Sequence, residues 1–193
     1  MSSFEFLSVL ISVVVGLGIA NILSGVGRMI HRHTEVRLSI AYVAWALYVF
    51  HYLVIYWWTV VFGWQEWQNW NLLIFIFILT YGVILFLLSV ILFPTDLPTS
   101  WDFGKRFLEM RRWFFGIFGV LIIVEVMDTA LKYHLGTFSV WYELQMATWA
   151  VCAIIGWIST NRRVHATIAL VALVSQVSWV VYQLRDLEWS LGA

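Results

Sequence analysis

The sequence predicts an all-α fold: a polytopic membrane bundle of six transmembrane helices, one domain over residues 1–193. Three observations predict it. The chain is 62% hydrophobic and only 11% charged, with a mean hydropathy of +0.87, a balance outside the range of water-soluble domains. Its apolar residues fall into blocks of about 20 or more, the length that crosses a bilayer at about 1.5 Å of rise per residue. Its basic residues gather in the gaps between alternate blocks, the asymmetry expected of membrane topology. Net charge is zero, so nothing points to nucleic acid as a partner.

Span 1, about residues 4–27, opens with MSSFEF. With Glu5 and no positive n-region, it reads as a retained helix and not as a cleaved signal peptide. Within VGLGIANILSGVGRM, Gly16, Ala20 and Ser24 are four apart, joined by Gly18, Asn21, Gly25 and Gly27. Small residues at this spacing let helix backbones approach closely in lipid, where packing drives helix association. Span 1 is therefore expected at the centre of the bundle or at a subunit contact, with a homo-oligomer or a partner membrane subunit as its counterpart. Asn21 would hydrogen-bond across that contact, worth ~0.6–2 kcal/mol. The G-x-G spacing is no dinucleotide fingerprint, since no strand precedes it and the third glycine is missing.

Span 2, about residues 38–62, carries His51 near its middle, in YVFHYLVIYWW. The connection FGWQEWQNW has three tryptophans and no basic residue, and with Trp57 and Trp58 it predicts an aromatic belt at the outer interface, Trp101 and Trp113 anchoring the inner one. Span 3, about residues 70–93, ends at Pro94 and Pro98, the only prolines, after which Thr99 or Ser100 can cap a new helix. There Phe103, Phe107, Met110 and Phe114 form one stripe against Asp102, Lys105, Arg106, Glu109 and Arg112. The pattern predicts a cytoplasmic interfacial helix running into span 4, about residues 113–133. Spans 5 and 6 follow at about 138–158 and 164–184. Cys152 is the single cysteine, which excludes an intrachain disulfide and reads as a small buried thiol.

Orientation follows from the cations. Arg28, Arg32 and Arg37 follow span 1; Lys105, Arg106, Arg111 and Arg112 follow span 3; Arg162 and Arg163 follow span 5. That is nine of the eleven basic residues, Lys132 and Arg185 being the others. The positive-inside rule makes these loops cytoplasmic and puts both termini outside. Arg28, Arg32, Lys105, Arg106, Arg111 and Arg112 are then candidates for contact with anionic headgroups of the bilayer. The same positive surroundings argue against metal binding by His31 and His33.

Span 4 contains two acids, Glu125 and Asp128, in VLIIVEVMDTALKYH. Three residues apart, they share one helix face, separated by about 60°. A charge at the bilayer centre costs roughly 2.5–3.5 kcal/mol on insertion scales, so such groups face the bundle interior, a partner or water. Asp128 has Lys132 four residues on, in the favoured order, and reads as an interfacial ion pair. Glu125 lies a turn deeper without that partner. Glu143 and Gln145 of span 5, His51 of span 2 and Gln176 of span 6 sit at depths from which they can meet it. If Glu125, Glu143 and His51 converge on a wet cavity, they would exchange protons or hold a cation, as carboxylate rings and acid–histidine relays do.

A cation or proton pathway is thus one functional reading. A second class is a non-transporting scaffold, assembly or sensor subunit, in which the span 1 glycines make contacts and the polar groups hold helices together. A third is a haem or metal protein. No cofactor is predicted, but neither group is excluded: Glu125, Asp128, Glu143, His51 and His134 are suitable metal ligands, although no H-E-x-x-H or paired E-x-x-H signature supports them. No nucleophile motif of the G-x-S-x-G kind marks an enzyme.

The short acidic N-terminus, GLGIANILSGVGR, LFP at the end of span 3, RRWFF at the start of span 4 and NRRVHA before span 6 together resemble a group of small bacterial multi-pass membrane proteins without assigned activity. The resemblance covers most of the chain. It implies a bacterial inner membrane and carries no chemistry.

Overall fold

The computed structural model describes residues 3–191, apart from Glu66, Gln68 and residues 95–100 and 133–137. Its helices are α1 (Ser3–His31), α2 (Ile40–Gly63), α3 (Leu72–Leu92), α4 (Phe103–Lys132), α5 (Val140–Ile158) and α6 (Arg162–Leu191), and they fall on the six apolar blocks. Five of them, all but α5, are long and apolar enough to cross a membrane. The chain is built as a multi-pass integral membrane protein. In α5, the shortest helix, Glu143, Gln145 and the aromatic residues of VWYELQMATW dilute the apolar content. The surface matches this build: Phe6, Leu72, Leu73 and Ile158 lie exposed, while Tyr48, Tyr52, Tyr56 and Tyr81 are buried. A soluble domain would show the reverse.

The central helix is α2, not α1. It packs against α1, α3, α4 and α6, and 56% of its most apolar stretch is buried, against 28% for α1. Alanines are buried on both α2 and α6, which pack against each other: Ala41, Ala44 and Ala46 on one, Ala169 and Ala172 on the other. Of the two places expected for glycine-rich span 1, the bundle centre or a subunit contact, the centre is taken by α2, and the small residues of α1 divide between two faces. Gly18 meets Leu53, and Gly25 lies so close under the Phe93 ring that a Cβ would collide with it. Asn21 Nδ2 donates to the Ser89 carbonyl at 2.9 Å, the cross-helix bond anticipated for it. Gly16, Ala20 and Ser24 instead face outward, exposed. A helix with one close-packed edge occupies the rim of a bundle.

At one end the three basic connections meet. Two-residue strands β1 (Val36–Arg37) and β2 (Trp101–Asp102) pair in parallel, Val36 opposite Trp101 and Arg37 opposite Asp102. Asp102 also caps α4, accepting the Lys105 N–H at 2.9 Å, and pairs with Arg162 at 3.0 Å. Arg28 Nη2 donates to the Pro94 carbonyl at 3.3 Å, tying the ends of α1 and α3. Thr99 and Ser100, the anticipated caps, and Pro98 lie outside the described residues; Asp102 is the cap observed. No break separates an interfacial helix from span 4, because α4 runs continuously from Phe103 to Lys132. Its stripe of Phe103, Phe107 and Phe114 is buried among protein side chains, with Phe107 5.3 Å from Phe114 and 5.6 Å from His165, ring to ring.

At the other end the tryptophans of FGWQEWQNW fold inward. Trp64 is wholly buried, with Trp67 edge-on to it at 5.0 Å and Trp70 tilted against it at 6.1 Å, and Trp70 reaches Phe4 of α1 at 5.9 Å. They form a plug over the bundle in place of the expected belt. Trp57, Trp58 and Trp113 do lie exposed, as interface anchors require.

Candidate functional site

The buried face of α2 follows from spacing: Trp45, Tyr48, Tyr52 and Tyr56 recur every three or four residues and so point one way, into the bundle. Tyr48 stands edge-on to Phe118 of α4 and Trp149 of α5, at 5.5 and 5.6 Å. Tyr56 and Tyr81 of α3 lie against each other at 4.6 Å, where Gly82 leaves room for the Tyr56 ring. Tyr56 donates its hydroxyl to the Ile78 carbonyl. Aromatic rings therefore wall the interior, and their hydroxyls supply its polarity.

Glu125 of α4 enters this wall. Its Oε2 accepts hydrogen bonds from the Tyr52 hydroxyl, at 2.8 Å, and from the Tyr81 hydroxyl, and the two hydroxyls are themselves 2.6 Å apart. The Tyr142 hydroxyl of α5 donates to the Glu125 backbone carbonyl at 3.4 Å. Glu125 thus ties α4 to α2 and α3 through its carboxyl and to α5 through its backbone carbonyl. Water is scarce in such an interior, so phenolic donors take over the solvation that a carboxylate requires.

One turn further along α4, Asp128 makes the predicted pair with Lys132, Nζ to Oδ2 at 2.6 Å. The pair is shielded, with only 10% of the Asp128 side chain and 8% of the Lys132 side chain exposed. Trp64 Nε1 donates to Asp128 Oδ1 at 3.0 Å, and Lys132 Nζ lies 5.4 Å from the Trp64 ring centre, a cation–π contact. Gly63 makes room for the ammonium: a Cβ there would come within 3.2 Å of Nζ. The tryptophan plug is what withdraws the pair from solvent.

The remaining candidates separate. Glu143 is exposed on the far side of α5, while its neighbours Tyr142 and Gln145 turn inward. His51 is half-buried, its Nδ1 lacking a partner, and is not among the groups bonded to Glu125. Gln176 is buried at 2% exposure and Gln145 at 7%, both with amide atoms that find no hydrogen-bond partner. The anticipated meeting of Glu125, Glu143 and His51 is replaced by one of Glu125 with tyrosines. His134 lies outside the described residues, and among the described residues no three His, Cys, Asp or Glu side chains gather to hold a metal.

Of the headgroup candidates, Arg32, Lys105 and Arg112 are exposed, Arg106 pairs with Glu109 at 3.5 Å, and Arg28 and Arg111 are half-buried. Arg111 Nη1 donates to the Leu108 carbonyl at 2.7 Å.

Sequence reasoning passed over Tyr52, Tyr81 and Trp64 as functional partners. A usable signal existed for one of them, since Tyr48, Tyr52 and Tyr56 repeat every four residues along span 2 and so share one helix face. Nothing in the sequence marked Tyr81 or the inward turn of Trp64. Compared with known protein families, curated proteins and solved structures, the chain matches none.

Proposed function

We propose that this protein is a proton pathway of a bacterial inner membrane, with six crossings, both termini outside, and Glu125 as the group that takes up and releases the proton. The observation that carries this reading is the Glu125–Tyr52–Tyr81 cluster, one turn from the Asp128–Lys132 pair. Acids linked by hydroxyls are suited to proton exchange, which needs only a hydrogen-bonded chain of groups able to give and accept. A metal cation would instead require several acceptor oxygens turned toward it, and the phenols here spend their hydrogens on the carboxylate. Proton is therefore the better-supported half of the cation-or-proton reading.

The test is proton uptake by sealed proteoliposomes carrying a pH-sensitive dye, under an imposed potential. Wild type is expected to conduct, and Glu125→Gln to abolish the flux while staying folded, because its amide oxygen still accepts from both tyrosines. Wild-type vesicles that remain tight would overturn the pathway.

A scaffold or assembly role is favoured by one separate observation, the outward-facing stripe of Gly16, Ala20 and Ser24 on the rim helix α1. Small residues at four-residue spacing suit a close crossing with a second helix, from another copy or from a partner subunit. The exposed cations Arg32, Lys105 and Arg112 suit anionic headgroups in either role.

A further inference from the structure

The polar interior extends beyond Glu125. Tyr142, Gln145 and Trp149 share one face of α5, at i, i+3 and i+7. Tyr142 lies 5.9 Å from Trp179 of α6, ring to ring, and Trp149 Nε1 donates to Ser175 Oγ at 3.1 Å. Gln145 on α5 and Gln176 on α6 fall between these two contacts, so they stand at the same level of the interface. Trp149 is also 5.6 Å from Tyr48 and 5.3 Å from Tyr52, which brings α2 to that level. Tyr142 reaches the Glu125 carbonyl, which brings α4.

Four buried polar atoms here have no hydrogen-bond partner: the Tyr48 hydroxyl, Gln145 Oε1, and both Oε1 and Nε2 of Gln176. Tyr48 is wholly buried, and the two glutamines nearly so. An unpaired buried hydroxyl or amide costs roughly 1–3 kcal/mol by mutational measures, more against hydrocarbon. Three such side chains on three helices at one level make a group whose donors and acceptors complement those of water, which satisfies about three polar neighbours when buried. The site holds both donors and acceptors and no formal charge, which suits water better than a metal ion.

We propose that Tyr48, Gln145 and Gln176 form an internal water site beside Glu125, and that its water supplies the proton to the carboxylate. This rests on the reading of Glu125 as the proton-exchanging group. The transfer is balanced: a protonated water gives its proton to the Tyr52 hydroxyl oxygen as that hydroxyl passes its own proton to Glu125, leaving water, tyrosine and a neutral carboxylic acid. The positive charge of the hydronium and the negative charge of the carboxylate cancel.

Radiolytic hydroxyl labelling of the full-length protein in proteoliposomes, read residue by residue by mass spectrometry, tests the water site apart from transport. Radicals made from bound water oxidise adjacent side chains even where bulk solvent has no access. Tyr48 and Trp149 are expected to be labelled several-fold faster than the equally buried Phe114, and Gln145→Leu/Gln176→Leu to bring them down to its rate. Leucine matches glutamine in size and suits an apolar interior, and the wild-type comparison is decisive even if that variant does not assemble. Tyr48 and Trp149 as unreactive as Phe114 in wild type, or labelling unchanged in a folded double variant, would overturn the water site whatever the flux. Fast labelling in vesicles that conduct no protons would keep the water site and sink the pathway instead.

Discussion

Glu125 and Asp102 are carboxylates held in opposite ways at two levels of the same bundle. Asp102 sits at the basic end among charged and backbone donors: the Lys105 N–H above all, and then the Arg162 guanidinium, hold its carboxyl below the usual range. Its side chain is 30% exposed, so water contributes as well. Glu125 has hydroxyl donors from Tyr52 and Tyr81, and the cation nearest to it along its own helix, Lys132, is taken by Asp128. A carboxylate near water can be tied by charge and serve as a joint. One set among aromatic rings is held by neutral hydroxyl donors instead.

Three changes would break or sharpen this contrast. The largest effect is expected from Asp128→Ala, which leaves the Lys132 ammonium buried beneath Trp64 without its counter-charge, a loss of about 3–5 kcal/mol. Unfolding in mixed micelles by titration with a denaturing detergent measures it. A loss under 1 kcal/mol would mean that Lys132 swings out to solvent. Next comes Tyr81→Phe, which removes one of the two hydroxyl donors to Glu125 and is expected to cost about 1–2 kcal/mol by the same assay. A neutral outcome would show Glu125 to be satisfied by Tyr52 alone.

The smallest effect belongs to Asp102→Asn and is read through pH. Because folding lowers the Asp102 pKa, its stabilising contribution is present above the unfolded value of about 3.9 and is lost as pH falls through the lower folded value. Thermal midpoints of wild type and variant should therefore differ near neutral pH and converge below about pH 3–4. A gap that persists at low pH would show that Asp102 acts through something other than its charge, since the asparagine amide oxygen still accepts from the Lys105 N–H.

Much of the fold was legible because hydropathy is a local property. Each of the six helices lies within a few residues of an apolar block, except that α4 begins ten residues before its block at about 113, and α1 and α6 run on past theirs. The early start of α4 shows where pattern reading stops. Phe103, Phe107 and Phe114 do make an amphipathic stripe, but a stripe does not say whether lipid headgroups or protein will cover it. Here Tyr42, Trp45 and His165 are at hand, and protein covers it. The same ambiguity attends span 1, whose glycines were read as contact residues at the centre or at a subunit interface, because a helix has more than one face. Gly18 and Gly25 met neighbours, while Gly16 did not.

By itself, the sequence determined the class of the molecule, the helical segments, the gathering of cations at alternate connections, and the Asp128–Lys132 pair, which needs only one helix turn. Tertiary structure alone decided what Glu125 touches. Its partners lie 73 and 44 residues away in the chain, on α2 and α3. Helix rotation and neighbour order bring them to it, and these depend on how aromatic rings and small residues fit together across the bundle, not on the spacing along any one helix.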